Sequence, residues 1–118
     1  MTTKRQMIGS WGEQAAAGFL SGQGYEILAR KVRTPWGEID LVVRSGEVII
    51  FIEVRTLPSS KFAHPEETIT HRKQSHILAA VEDYIRSQDM DHWQIDAIAI
   101  EGKPCSKPLI THFENVMG

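Results

Sequence analysis

Asp40 and Glu53 are the acids whose setting could do chemistry, with Arg55 two residues beyond the second. They lie in G-E-I-D-L-V-V-R and E-V-I-I-F-I-E-V-R, two runs rich in β-branched residues that flank Ser45-Gly46. Such runs about a short turn predict a hairpin. With Ser45 and Gly46 as the loop, Arg44 faces Glu47, Asp40 faces Phe51, and Glu53 sits diagonally from Asp40 on the same side. Diagonal neighbours are ~7–8 Å apart at the backbone, within reach of one bridging ion. A loop one residue longer would flip this relation. Carboxylates in otherwise apolar strands are costly unless paired, hydrogen-bonded or metal-bound. Two that converge, followed by a cation, fit a hard-metal site for phosphodiester chemistry. A competing reading puts both acids near strand ends, in water or paired with Arg55 or Arg44. Spacing alone does not separate the two.

The elements that would carry these acids follow from periodicity. Ile8, Gly12, Ala15, Ala16, Phe19 and Leu20 make a helical stripe from about Gln6 to Ser21, ended by Gly22 and Gly24. Glu13 borders that stripe. S-W-G-E, Ser10 to Glu13, also matches a capping box, which would start the helix at Trp11 and turn Glu13 back to the Ser10 backbone. A helix that starts nearer Arg5 would leave Glu13 in mid-helix and in need of another partner. Tyr25 to Arg33 alternates as a strand, with Tyr25, Ile27 and Ala29 on one face, and Thr34 to Gly37 is a turn. In the hairpin, Ile39, Leu41 and Val43 share a face opposite Glu38 and Asp40. Leu57 to Glu67 is a polar, Pro-containing loop of the kind that lies over a site. Thr70 to Ser87 is a second helix that buries Ile77, Leu78, Val81, Tyr84 and Ile85. Arg72, Lys73 and Gln74 crowd its first turns, where cations oppose the helix dipole, a small cost that facing phosphate would offset. His92 to Ile100 alternates as a strand, and Leu109 to Phe113 is a short edge strand. The sum is an α/β chain with one mixed sheet flanked by helices, in the order αβββαβ with a short final strand, and 1–118 reads as one domain.

With 118 residues, 42% hydrophobic and 24% charged, the chain has the composition of a soluble globular protein. Val48 to Ile52, its longest apolar run, cannot span a membrane, and the first residues carry no stretch of signal-peptide length. A single cysteine, Cys105, leaves no internal disulfide and fits a reducing cytoplasm. The net charge of −2 carries no basic excess for nucleic acid, yet Arg30, Lys31 and Arg33 cluster just before the acidic strands. The five histidines show no zinc-ligand spacing. No phosphate-cradling glycine loop or G-x-S-x-G turn occurs. Trp11, Trp36 and Trp93 read as core or turn anchors, with Trp36 the one that could be exposed.

The motif order G-S-W-G-E-x-x-A-A-x-F-L, G-Y-E-I-L-A-R-K-V-R, G-E-I-D-L-V, I-F-I-E-V-R, A-A-V-E-D-Y-I, W-Q-I-D-A-I-A-I and I-T-H-F-E-N-V resembles the YraN-like family of bacterial proteins, over Gly9 to Val116. The resemblance implies a restriction-endonuclease-like fold similar to Holliday-junction resolvases. It also implies Mg2+- or Mn2+-dependent cleavage of nucleic acid, with branched DNA as one substrate and DNA ahead of RNA. By the same resemblance Glu13, Asp40, Glu53 and Arg55 are the catalytic positions. Asp40, Glu53, Glu13 and the Val54 carbonyl would hold the ion. Arg55 departs from the superfamily's lysine, and Leu57 from a basic residue. Arginine can stabilise negative charge but does not give up its proton. Lys73, or less directly Lys61, would then supply an amine. Arg30, Lys31, Arg33, Arg72, Lys73 and Gln74 are the candidate nucleic-acid contacts, the resemblance to dimeric resolvases makes a homodimer one expected partner, and the short apolar runs predict no membrane partner. Two functional classes stay open: a metal-dependent nuclease, and a binding protein that keeps the fold with a degenerate site.

Overall fold

The computed structural model describes residues 3–57, 71–86 and 88–117, and for Arg5 and residues 71–75 the backbone alone. Seven elements follow in the order α1 (Lys4–Gly22), β1 (Glu26–Thr34), β2 (Gly37–Ser45), β3 (Val48–Leu57), α2 (His71–Ile85), β4 (Trp93–Glu101) and β5 (Leu109–Phe113). The strands form one mixed sheet in sequence order. β1, β2 and β3 pair antiparallel, β3 and β4 parallel, and β4 and β5 antiparallel. A parallel pair requires a crossover, and α2 lies in it. The expected α/β architecture, a mixed sheet flanked by helices, is therefore present, and the final strand forms at an edge. The loop expected over 57–67 lies, beyond Leu57, outside the described residues.

Two apolar layers sandwich the sheet. Ala16, Ala17 and Leu20 of α1 pack on Leu41, Val43, Ile50, Ile52, Val54, Ile98 and Ile100. Ile77, Ala80 and Val81 of α2 pack on Ile39, Val42, Phe51 and Ile95. Strands buried on both faces read as nearly continuous apolar runs, which is the pattern of β3 and β4. Trp11 and Trp93 border these layers as anchors, whereas Trp36 is 56% exposed.

Three local expectations are corrected. First, α1 begins at Lys4, two residues before Gln6 and about two turns before the Trp11 start that a Ser10 cap would give. Thr3 caps it, accepting from the Gln6 backbone while Gln6 reaches back to the Thr3 N–H at 2.9 Å. The S-W-G-E box is therefore not used, and Glu13 is a mid-helix residue. Second, the β2–β3 turn is Gly46-Glu47, since Ser45 pairs with Val48 and Leu41 with Ile52. Gly46 takes a left-handed φ of +61°, which glycine adopts without steric cost. The register differs from the expected one by two residues, an even shift that keeps the same faces of β2 and β3 paired, and the next rung brings Asp40 level with Glu53 rather than Phe51.

Third, alternation breaks in the first two strands. Ile39 packs in the α2 layer but Leu41 in the α1 layer, and Ile27 and Ala29 are likewise divided between them. A bulge between Ile27 and Ala29 explains the second split. The first coincides with Lys31, whose φ of +51° interrupts the β1–β2 ladder between Arg30↔Leu41 and Val32↔Ile39. That interruption falls at Asp40.

At the other edge, Asp96 is fully buried in β4. Its carboxylate accepts from Gln94 Nε2 at 2.8 Å and the Asn115 N–H at 2.9 Å, and pairs with His112 Nε2 at 2.7 Å. Three partners satisfy a group that would otherwise be expensive to bury. Val116 then donates its N–H to the Ile95 carbonyl at 2.8 Å.

Candidate functional site

Four carboxylates meet where β2, β3 and α1 come together. Gly12 makes the approach possible: a Cβ built there would lie 2.1 Å from Thr56 Oγ1. Only a glycine lets α1 lie this close to β3, and the next residue, Glu13, is thereby set against the sheet. Glu13, Glu38 and Asp40 each offer a carboxylate oxygen within 4.8 Å of the others. Two oxygens across one Mg2+ are ~4.2 Å apart, twice the bond length. The three acids are thus spaced for a hard cation with little adjustment.

Asp40 is held rather than loose. Where the β1–β2 ladder is interrupted, its Oδ2 accepts the Val54 backbone N–H at 2.8 Å. Burial, then repulsion from Glu53, pushes the Asp40 carboxyl up to about 7, against the opposing pull of the Val54 hydrogen bond. Burial also raises Glu13; the neighbouring Lys31 lowers it, and Glu38 and Glu53 raise it further. Glu53 is raised by burial, with Arg55 acting to lower it. Acids that repel one another in a partly dry setting bind a proton or a cation more readily than water-exposed ones do.

Of the predicted site residues, the structure brings Glu13 and Asp40 together. Glu53 stands beside them, outside the tight group, with Oε1 2.7 Å from Arg55 Nη2. Both side chains of that pair are more than four-fifths buried, at 19% and 18% exposure. The contact is close but not aligned as a hydrogen bond. Among the described residues, Arg55 Nε and Nη2 have no hydrogen-bond partner. Val54 contributes its N–H to Asp40 and buries its side chain in the α1 layer.

The basic cluster borders the acids. Arg30, Lys31 and Arg33 are exposed on β1. Lys31 Nζ lies 3.8 Å from Glu13 and Arg33 Nε 4.0 Å from Glu38. Exposed pairs of this length are weak and exchange partners readily. Arg72, Lys73 and Gln74 fall on the first turn of α2, but their side chains, like all of Lys61, lie outside the described residues.

Two groups of residues escaped the sequence reading. Glu38 has a signal: it precedes Asp40 by two, which puts it on the same strand face. Asp96, His112 and Glu114 form a second group with ligand atoms within 4.8 Å of one another. Nothing in the sequence joins Asp96 to His112, because β4 and β5 are brought into register only by pairing. Both Asp96 oxygens are already engaged by the donors described above, so the group acts as a buried clamp.

Fold and site together define an α/β protein whose mixed sheet carries a cluster of carboxylates between α1, β2 and β3. A family model described as "Uncharacterised protein family UPF0102" matches residues 12–100, and the chain belongs to that family, the YraN family of the motif resemblance. A UPF0102 protein of Dehalococcoides mccartyi, DehaBAV1_0707, is 36% identical over 121 residues, covering 100% of this chain and 98% of the relative. One from Syntrophotalea carbinolica is 41% identical over 102 residues, covering 85% and 83%. One from Chloroflexus aurantiacus is 42% identical over 106 residues, covering 87% and 86%. Among solved structures, Pyrococcus furiosus SfsA in complex with Ca2+ aligns with 93% of this chain and 63% of its own at 12% identity, with a TM-score of 0.34, which supports no argument here. Among the described residues, no helix is long and apolar enough to cross a membrane.

Proposed function

We propose that the protein is a metal-dependent phosphodiester hydrolase acting on nucleic acid in the cytoplasm, with branched DNA among its substrates. The observation that carries this reading is the convergence of Glu13, Glu38 and Asp40 from a helix and a strand within 4.8 Å, beside Glu53. An all-oxygen, anionic donor set suits Mg2+ or Mn2+. When bound, such an ion supplies Lewis acidity to a phosphodiester and brings hydrolysis by water within reach at neutral pH.

The chain's own residues have distinct parts. Asp40, Glu13 and Glu38 would hold the cation, with Glu53 and the Val54 carbonyl as further donors. The Asp40–Val54 bond fixes one carboxylate oxygen so that the other is oriented. Arg55 offers buried donors for a phosphate oxygen and for charge that develops on it, but it cannot take a proton from water. Lys31 and Arg33 are placed to exchange their weak carboxylate contacts for backbone phosphates.

One observation favours a second reading. Arg55 stands where a lysine would activate water, and it is engaged by Glu53 at 2.7 Å. The alternative is a nucleic-acid-binding protein that retains the fold without efficient cleavage. A Mn2+-supplemented cleavage assay on branched DNA, linear DNA and RNA separates the two. Cleavage by wild type that is lost in Asp40→Asn supports the hydrolase. Cleavage seen only in Arg55→Lys supports the binding protein, and none in either variant or wild type removes the hydrolase reading.

A further inference from the structure

The tip of the β1–β2 hairpin carries an aromatic ring that the core does not use. Trp36 is 56% exposed, although indole is among the costliest side chains to leave in water. The turn that carries it is rigid. Thr34 Oγ1 accepts the Trp36 N–H at 3.1 Å and donates to the Gly37 carbonyl at 2.7 Å. Gly37 completes the turn at a φ of +129°, which a side chain would strain. An exposed indole on a hydrogen-bonded turn, two residues from Glu38 and four from Asp40, offers a flat apolar face beside the acids.

That surface forms one wall of a cleft. A cavity of about 170 Å³, open on one side, lies between Trp36 and α2, with Ile77 and Ala80 as its apolar floor and His76, Glu38 and Glu53 around it. A cavity of ~150 Å³ takes up one benzene ring. The space therefore matches a single flat ring system with apolar faces and a polar edge. Exposed Arg33, three residues before Trp36, lies along the same hairpin.

We infer that the Trp36–α2 cleft receives an unpaired nucleobase of the nucleic acid that the acidic group acts on. The inference rests on the nucleic-acid reading of that group and names the substrate feature it selects. An unpaired base stacks on the indole face. The phosphates on either side then run toward Arg33 and toward the four acids. A base locked in a duplex cannot enter, because both of its faces are already stacked. Such a cleft selects overhangs, flaps and junctions over blunt duplex without reading sequence, since every base has a π-face.

The test uses the full chain in Ca2+ with three fluorescein-labelled DNAs: a blunt duplex, the same duplex with a single-stranded overhang, and that overhang made of abasic residues. The abasic strand keeps the phosphates and removes the rings. Wild type is expected to bind the overhang about tenfold more tightly than the abasic version, in line with the stacking contribution of one base. Trp36→Ala should abolish that difference with less than a twofold change on blunt duplex, and Trp36→Phe should retain most of it. Equal binding of the overhang and its abasic form overturns the inference, as does an equal loss on all three DNAs in Trp36→Ala or no binding to any. Metal-dependent cleavage without a base preference would sink this inference alone. A Trp36-dependent base preference without cleavage would leave it standing and sink the hydrolase.

Discussion

Asp40 Oδ2 accepts the backbone N–H of Val54 at 2.8 Å, at the point where the next rung of the β2–β3 ladder would fall. A side chain thus replaces a backbone acceptor, and the carboxylate is fixed in the plane of the sheet. Asparagine at this position keeps an oxygen for the Val54 N–H and removes the charge. Asp40→Asn is expected to fold normally and to lose at least about tenfold in Mn2+ affinity by calorimetric titration. Unchanged Mn2+ binding in this variant would show that the acids do not hold the ion.

The raised Asp40 carboxyl has a consequence for stability. Its value moves from 3.8 to about 7 on folding. The folded chain then holds this proton more tightly than the unfolded chain. Stability from this group is full below about pH 4 and is lost as the pH rises through about 7. Thermal melts should show wild type losing stability between about pH 4 and 7 relative to Asp40→Asn, and Mn2+ should restore it at the upper end. Parallel pH profiles for the two proteins would contradict this account.

Gly12 is the hinge between helix position and acid position. Gly12→Ala forces a Cβ to within 2.1 Å of Thr56 Oγ1, so α1 or β3 must shift. Denaturant unfolding should show a loss of about 1–3 kcal/mol, the usual cost of overpacking. The double variant Gly12→Ala/Thr56→Ala, which removes the clashing oxygen, should recover part of it. Mn2+ affinity should fall with Gly12→Ala because Glu13 moves with its helix. A neutral Gly12→Ala would mean that the close approach is not required.

Glu53 and Arg55 form a largely buried pair. Arg55→Met removes the cation that lowers the Glu53 carboxyl and should cost on the order of 3 kcal/mol. Arg55→Met combined with Glu53→Gln should be more stable than Arg55→Met alone. If the two losses simply add in a double-mutant cycle, the residues are not coupled.

Much of this was legible in the chain. The apolar runs of β3 and β4 and the Ile77–Val81 stripe of α2 fixed the sheet and its second helix, because burial on both faces leaves few alternatives. The acids on β2 and β3 stood out for the same reason. Three features were hidden. Thr3-Gln6 and Ser10-Glu13 are both capping boxes, and only the packing of α1 on β3 through Gly12 decides between them. The Ser45-Gly46-Glu47 stretch allows turns that differ by two residues in register, and pairing chooses. Lys31 adopts a left-handed φ that no property of lysine announces, so the exchange of faces at Asp40 could not be read from alternation. Glu38 is legible only as a same-face neighbour of Asp40, because its contact with Glu13 depends on the position of α1.

The run from His112 to Met117 crosses from one side of the molecule to the other. His112 sits edge-on to Phe19 and Tyr25 on the α1 side, with ring centroids 6.5 and 6.1 Å away. Asn115 reverses the chain at a φ of +52°, and Val116 and Met117 then pack in the α2 layer. The tail is a clasp that laces two otherwise separate halves of the core around the β5 edge. A loss of these few residues would loosen both helices at once, including the one that carries Glu13.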